Sequence, residues 1–147
     1  MALAMTKQER ERYLAGRHVG VISIPEEARG PLTVPVWYAY EPGGDVRVVT
    51  GRTSRKGRLL AHASRLSLCA QSEDPPYRYV SVEGPIVAIG PADVERDLRP
   101  LAQRYLGTEA GDAYVEATRG EHSDNVLVRI RPERWLTVDF SKLEAPS

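Results

Sequence analysis

Seven short runs rich in β-branched residues, separated by turn residues, constrain the fold of this 147-residue chain more than anything else in it. They are His18–Ile24, Leu32–Tyr40, Val46–Thr50, Arg65–Gln71, Tyr77–Ile89, Asn125–Arg131 and Arg134–Val138. Few helical patterns stand between them. Thr6 and Glu9 have capping-box spacing and open a short helix that Gly16 ends. Pro91–Leu106 reads as a helix stopped by Gly107 and kinked or broken at Pro100, and Thr108 caps a further helix through Ala117. Strands linked by turns, with so few helices, predict a mainly β fold: an antiparallel barrel with peripheral helices. The EPGGD turn is expected to join Leu32–Tyr40 to Val46–Thr50 as a hairpin. Pro35 marks an edge, a bulge or a ligand contact, and Gly84-Pro85 a bulge or corner in the long fifth strand.

The most informative stretch is Val46–Leu68, a strand, a turn at Gly51 and a short helix capped by Thr53 or Ser54. Leu59, Leu60 and Ala63 share one face of that helix. From Val46 to Ser72 there is no carboxylate, yet Arg47, Arg52, Arg55, Lys56, Arg58 and Arg65 are all present. Four of these six crowd the start of the helix, where each cation opposes the macrodipole by roughly 0.3–1 kcal/mol. A bound phosphate would remove that conflict. Alternatively, in a chain with 17 arginines, the run is a solvated face paired with acids elsewhere. Neither a GxGxxG nor a GxxxxGK[ST] fingerprint is present.

Length fits one domain over 1–147, with an ordered core over about residues 6–140 and Met1–Met5 as a disordered lead. A formal net charge of zero argues against general binding to nucleic acid or an acidic membrane. A lone cysteine, Cys69, excludes an internal disulfide and is expected to be a small buried residue. With no signal-like or membrane-length apolar run, the expected location is cytoplasmic. His18, His62 and His122 have no metal spacing, and no acid–base pair or nucleophile elbow stands out. His122, in the polar RGEHSD loop, is either a ligand contact or, by default, a solvated loop residue. Trp37, Tyr38 and Tyr40 are core or interface residues, or else a platform for a planar ring. A phosphate grip, aromatic walls and no general acid or base suit a protein whose cofactor carries the chemistry.

The pattern Thr50-x3-Ser54-Arg55-Lys56-x3-Leu60 resembles the flavin-phosphate motif of the pyridoxamine 5′-phosphate oxidase superfamily. The order of elements from Thr6 to about Phe140 agrees with that family. The resemblance implies a split β-barrel, a homodimer with the cofactor at the subunit interface, and a cofactor phosphate gripped by Arg55 and Lys56 with Ser54 or Thr53 helping. It also implies that Thr50 and the strand Pro35, Val36 and Trp37 lie along the ring system. Arg78-Tyr79-Val80 stands where the true oxidase has Arg-Gln-Val, so Tyr79 replaces a flavin-contacting amide. With no counterpart of the oxidase's C-terminal substrate-binding segment, this argues against pyridoxamine phosphate oxidation. The PVW strand and the PYRYVSVEGP segment look more like the branch that binds coenzyme F420, and Arg52 and Arg58 would suit its anionic tail. The function so implied is hydride transfer between bound deazaflavin and a small unsaturated organic acceptor. The alternatives are an FMN-dependent oxidoreductase and a non-catalytic flavin or deazaflavin carrier. No catalytic side chain is identified.

Overall fold

The computed structural model describes residues 2–143. Helix α1 (Lys7–Ala15) starts with the expected capping box: Thr6 Oγ1 accepts from Glu9 N, and the Glu9 carboxylate accepts from Thr6 N. The strands are β1 (Gly20–Ile24), β2 (Leu32–Val36), β3 (Val46–Gly51), β4 (Arg65–Gln71), β5 (Arg78–Pro91), β6 (Asn125–Ile130) and β7 (Arg134–Asp139). The helices α2 (Arg55–Leu60), α3 (Arg99–Leu106) and α4 (Thr108–Thr118) lie at the periphery. The strands form one antiparallel path, β2-β1-β4-β5-β6-β3, with β7 paired to β5. This is a split β-barrel with outer helices: the strand pattern predicts the antiparallel barrel, and the family resemblance its split form.

Strand β5 holds the barrel together by belonging to two sheets. Its first half pairs with β4 and β7; after Gly84-Pro85 the register shifts between Ile86 and Ala88, and its second half pairs with β6. The corner needs glycine, because a Cβ at residue 84 would run into the Arg131 carbonyl. Alternate residues of every strand fill the core, including Ile22, Ile24, Val46, Val48, Leu68, Val80 and Val128. A second, smaller cluster of Leu98, Ala102 and Val115 packs α3 and α4 against Val49 on the outer face of β3.

Several expectations need correction. β2 ends at Val36, and β3 pairs with β6, so the expected hairpin survives only as one bridge between Ala39 and Arg47. Beyond Val36 the chain leaves the end of β1, and the Tyr105 hydroxyl takes over as acceptor for Tyr38 N at 3.1 Å. Pro35 does sit on an edge strand, where its missing N–H costs nothing. Residues 2–5 are not a loose lead: Met5 N donates to Thr137 Oγ1 at 2.9 Å, and Leu3 O accepts from Asp139 N at 2.8 Å. Met1 lies outside the described residues. Thr108 begins α4 instead of capping it, because Gly107 at φ 87° makes the turn. Pro100 does break the expected helix, separating a π-turn at Val94–Leu98 from α3. Cys69 is only half-buried, on the outer face of β4. Among the described residues no helix is long and apolar enough to cross a membrane.

Candidate functional site

A groove of about 470 Å³ runs between the outer face of β3 and the α3–α4 pair. Val19, Pro35, Val36 and Trp37 line it together with Leu98, Leu101 and Tyr114, and with Val49, Thr50 and Gly51 along β3. Trp37 is held in place from behind. Its ring stacks on Tyr105 at 5.3 Å and 5°, and Tyr114 meets it edge-on at 5.5 Å. Tyr105 is fixed in turn by its hydroxyl, which donates to His18 O at 2.6 Å. The indole is therefore a preorganised flat wall.

Polar groups gather around Gly51. Asn125 lies opposite it in the β3–β6 register, and Lys56 reaches the groove from α2. Thr118 Oγ1 donates to Tyr114 O at 2.7 Å, so it accepts from His122 Nε2, also at 2.7 Å. In a neutral imidazole that leaves Nδ1 to accept from Asn125 Nδ2 at 2.8 Å. The Asn125 carbonyl oxygen is thereby turned toward Gly51. Lys56 has no acidic partner among the described residues, and burial pushes its pKa down from the usual lysine value. A half-buried ammonium without a counter-ion is an open demand for an anion.

The remaining basic run divides. Arg47 pairs with Glu41 at 2.6 Å, Arg55 with Glu26 at 2.7 Å, and Arg65 with Glu83 at 2.8 Å and Glu133 at 2.9 Å. Arg52 and Arg58 are exposed, with no ion pair among the described residues. Both readings of the run are therefore realised, in different residues. Arg55, expected to grip a cofactor phosphate together with Lys56, is bonded to Glu26 and is not among the residues lining the groove. Ser54, not Thr53, is the N-cap: its hydroxyl accepts from Gly57 N at 3.0 Å and donates to Gly51 O at 2.7 Å, leaving no proton free for a ligand. Thr53 instead donates to Asp124 Oδ2 at 3.2 Å. At six residues α2 has little macrodipole, so the site rests on Lys56 more than on the helix end.

Of the ten expected cofactor contacts, Pro35, Val36, Trp37, Thr50 and Lys56 line the groove. Arg52, Ser54, Arg55, Arg58 and Tyr79 do not. Tyr79 lies on β5 beside Gln71 and Val138, on the other sheet. Val19, Leu98, Leu101, Tyr114 and Asn125 were not anticipated as lining residues, and His122 only as a secondary reading. Leu98 and Leu101 do carry a helical three-residue spacing, but only the fold says which strand that face covers.

The family model for pyridoxamine 5′-phosphate oxidase matches residues 6–139. The chain belongs to that family. Its members are typically oxidoreductases, and flavin-type cofactors are the family's common chemistry. No curated protein matches the sequence. Among solved structures, a conserved hypothetical protein of Mycobacterium tuberculosis is similar at TM-score 0.80 and 23% identity, over 99% of this chain and 92% of that one. A protein described as an F420 reductase matches at TM-score 0.72 and 23% identity, over 86% and 94% of the two chains. An FAD- and heme-binding protein of Mycobacterium smegmatis matches at TM-score 0.67 and 14% identity, over 95% and 73%. At these identities the likeness shows a shared fold.

Proposed function

We propose that this chain is an oxidoreductase that moves a hydride between bound coenzyme F420 and a small unsaturated organic acceptor. The observation that carries the reading is Lys56, a half-buried ammonium with no acidic partner among the described residues, which lines the same groove as an indole fixed by stacking. The residues fit a ligand with a planar ring and an anionic side chain. Lys56 would hold the phosphate, with exposed Arg52 and Arg58 available to further anionic groups of the tail. Pro35, Val36, Trp37 and Thr50 would lie along the ring. The bound deazaflavin would supply the hydride. The chain's own part is positioning and exclusion of water, for which Val49, Leu98 and Leu101 provide the apolar surface.

A homodimer belongs to this reading. Pro35, Val21, Cys69, Ser81 and Leu136 stand side by side across β2, β1, β4, β5 and β7, an uncharged row on the outer sheet face. Val21 and Leu136 are exposed there, and Pro35 also lines the groove. A second copy seated on this face would cover the groove's flank, and Tyr79, on the same face, would contribute to a groove only through such a partner. The FMN-dependent alternative is favoured by the family itself.

Titration with coenzyme F420 and with FMN, followed by fluorescence polarisation, tests the reading. Tight binding of the deazaflavin, lost in Lys56→Ala, supports it and justifies screening unsaturated acceptors with the reduced coenzyme. Tight binding of FMN alone moves the assignment to the alternative. Binding without reduction of any acceptor indicates a carrier. Light scattering of Leu136→Lys against the parent protein tests the dimer: a parent that is already monomeric overturns it.

A further inference from the structure

Arg55 and Lys56 are consecutive, yet their charges go to different places. Lys56 faces the groove, whereas Arg55 Nη2 donates to Glu26 Oε2 at 2.7 Å. Glu26 lies in the connection between β1 and β2, where Ala28 adopts a positive φ of 60°. Its side chain is only 17% exposed, and its other cation, Arg29, stands 4.0 Å away with a side chain 65% exposed. Arg55 is thus its main partner. Drawing Arg55 off would leave this mostly buried carboxylate with only Arg29 at 4.0 Å, a cost moderated by the 49% exposure of the Arg55 side chain.

The pair changes what the groove offers a ligand. Free of Glu26, the first turn of α2 would present two adjacent cations, suited to a phosphomonoester carrying about −1.5 to −2 charges at neutral pH. With Arg55 withheld, one cation remains, Lys56, which matches a phosphodiester with a single charge. A diester can bind without disturbing Glu26. A monoester must either remain half-compensated or strip Glu26 of its partner.

We propose that Glu26 is a specificity-determining residue that withholds Arg55 from the ligand, so that the groove favours a singly charged phosphodiester over a doubly charged phosphomonoester. The inference rests on the cofactor reading of the groove and sharpens it, because coenzyme F420 carries its phosphate as a diester and FMN as a monoester.

The test compares Glu26→Gln, and Glu26→Gln combined with Arg55→Gln, against the parent protein. Each is titrated with coenzyme F420, FMN and riboflavin, the last providing the ring without phosphate. Glu26→Gln should raise FMN affinity about tenfold, equivalent to ~1.4 kcal/mol, while coenzyme F420 and riboflavin change by less than about threefold. The gain for FMN should vanish in the double variant, because it requires Arg55. If Glu26→Gln does not fold, Glu26→Ala should give the same shift. An unchanged ratio of FMN to F420 affinity, or equal gains for both, overturns the inference while leaving the cofactor reading intact. A parent protein that binds none of the three ligands removes both.

Discussion

Two arginine-rich regions of this molecule treat their charges in opposite ways. On the α3–α4 pair, Arg99 donates to Glu95 at 2.7 Å, Asp112 at 3.0 Å and Glu116 at 2.7 Å, and Arg119 adds bonds to Glu95 and Glu116 at 2.9 and 2.8 Å. These partners push both guanidinium pKa values up and hold Glu95 and Glu116 down at about 2. At the groove Lys56 has no such partner, and burial moves its pKa the other way. The contrast teaches that a cluster of cations is not a site until its acids have been counted. Where the protein supplies the acids, the cluster ties elements together; where it leaves one cation half-buried without them, a ligand is expected to supply the charge.

The strongest way to break the contrast is to move Lys56 without touching its charge. Gly57 follows it in α2, and a Cβ there would run into Gly51 O and come within 2.9 Å of Arg52 O. Gly57→Ala forces the turn outward. We expect destabilisation of about 2–3 kcal/mol in a denaturant melt, together with loss of detectable cofactor binding. Next in size is a crossed pair of substitutions. Lys56→Ala should weaken cofactor binding at least about tenfold without lowering the melting temperature, because it removes a half-buried charge with no acidic partner among the described residues. Lys56→Arg should restore part of that affinity. Arg99→Ala should do the reverse, lowering the melting temperature and its salt dependence while the cofactor dissociation constant moves little. If both variants lost stability and affinity together, the two regions would not be functionally distinct.

How much of this was legible in the sequence follows from which forces are local. The capping box at Thr6 and Glu9, the stop at Gly107, the break at Pro100 and the corner at Gly84-Pro85 all depend on residues close together in the chain, and all are found where the sequence puts them. Pairing was harder. Nothing in Val46–Thr50 says that its partner is Asn125–Ile130 and not the preceding strand, because either register buries the same valines. The candidate site divides in the same way. Trp37 and Lys56 came forward through the family resemblance, but the fate of Arg55 was set by Glu26, 29 positions earlier. His122 reads as a solvated loop residue until the fold hands it both Thr118 and Asn125.

The pH dependence separates the two regions more gently, and from opposite ends of the scale. For the helical pair, Glu95 and Glu116 sit at about 2 in the folded chain against an ordinary value of 4.5. Carboxylates with depressed pKa values stabilise the fold fully above their unfolded value. That contribution should fade as pH falls from about 4.5 toward 2, visible as a lower melting temperature, an effect that Arg99→Ala reduces and that Arg99→Ala combined with Arg119→Ala removes. The exposure of these groups keeps the effect modest.

Lys56 predicts the smallest effect, in the alkaline range. Its folded pKa lies below the ordinary lysine value of 10.5, so the ammonium destabilises the free protein below that folded pKa. The penalty disappears as pH rises through it, and the unliganded protein should gain slightly in stability there. An anion in the groove favours the charged form, so ligand affinity must run the other way, full at neutral pH and falling before pH 10.5 is reached. Lys56→Arg, which stays charged throughout, should abolish both trends. Stability and affinity moving in opposite directions over the same pH interval would be hard to obtain from a lysine that merely packs against the barrel. Equilibrium melts and fluorescence titrations from pH 7 to 10.5, on the parent and Lys56→Arg proteins, would reveal it; a parent whose affinity stayed flat all the way to the ordinary lysine value would place the ligand's charge on some other group.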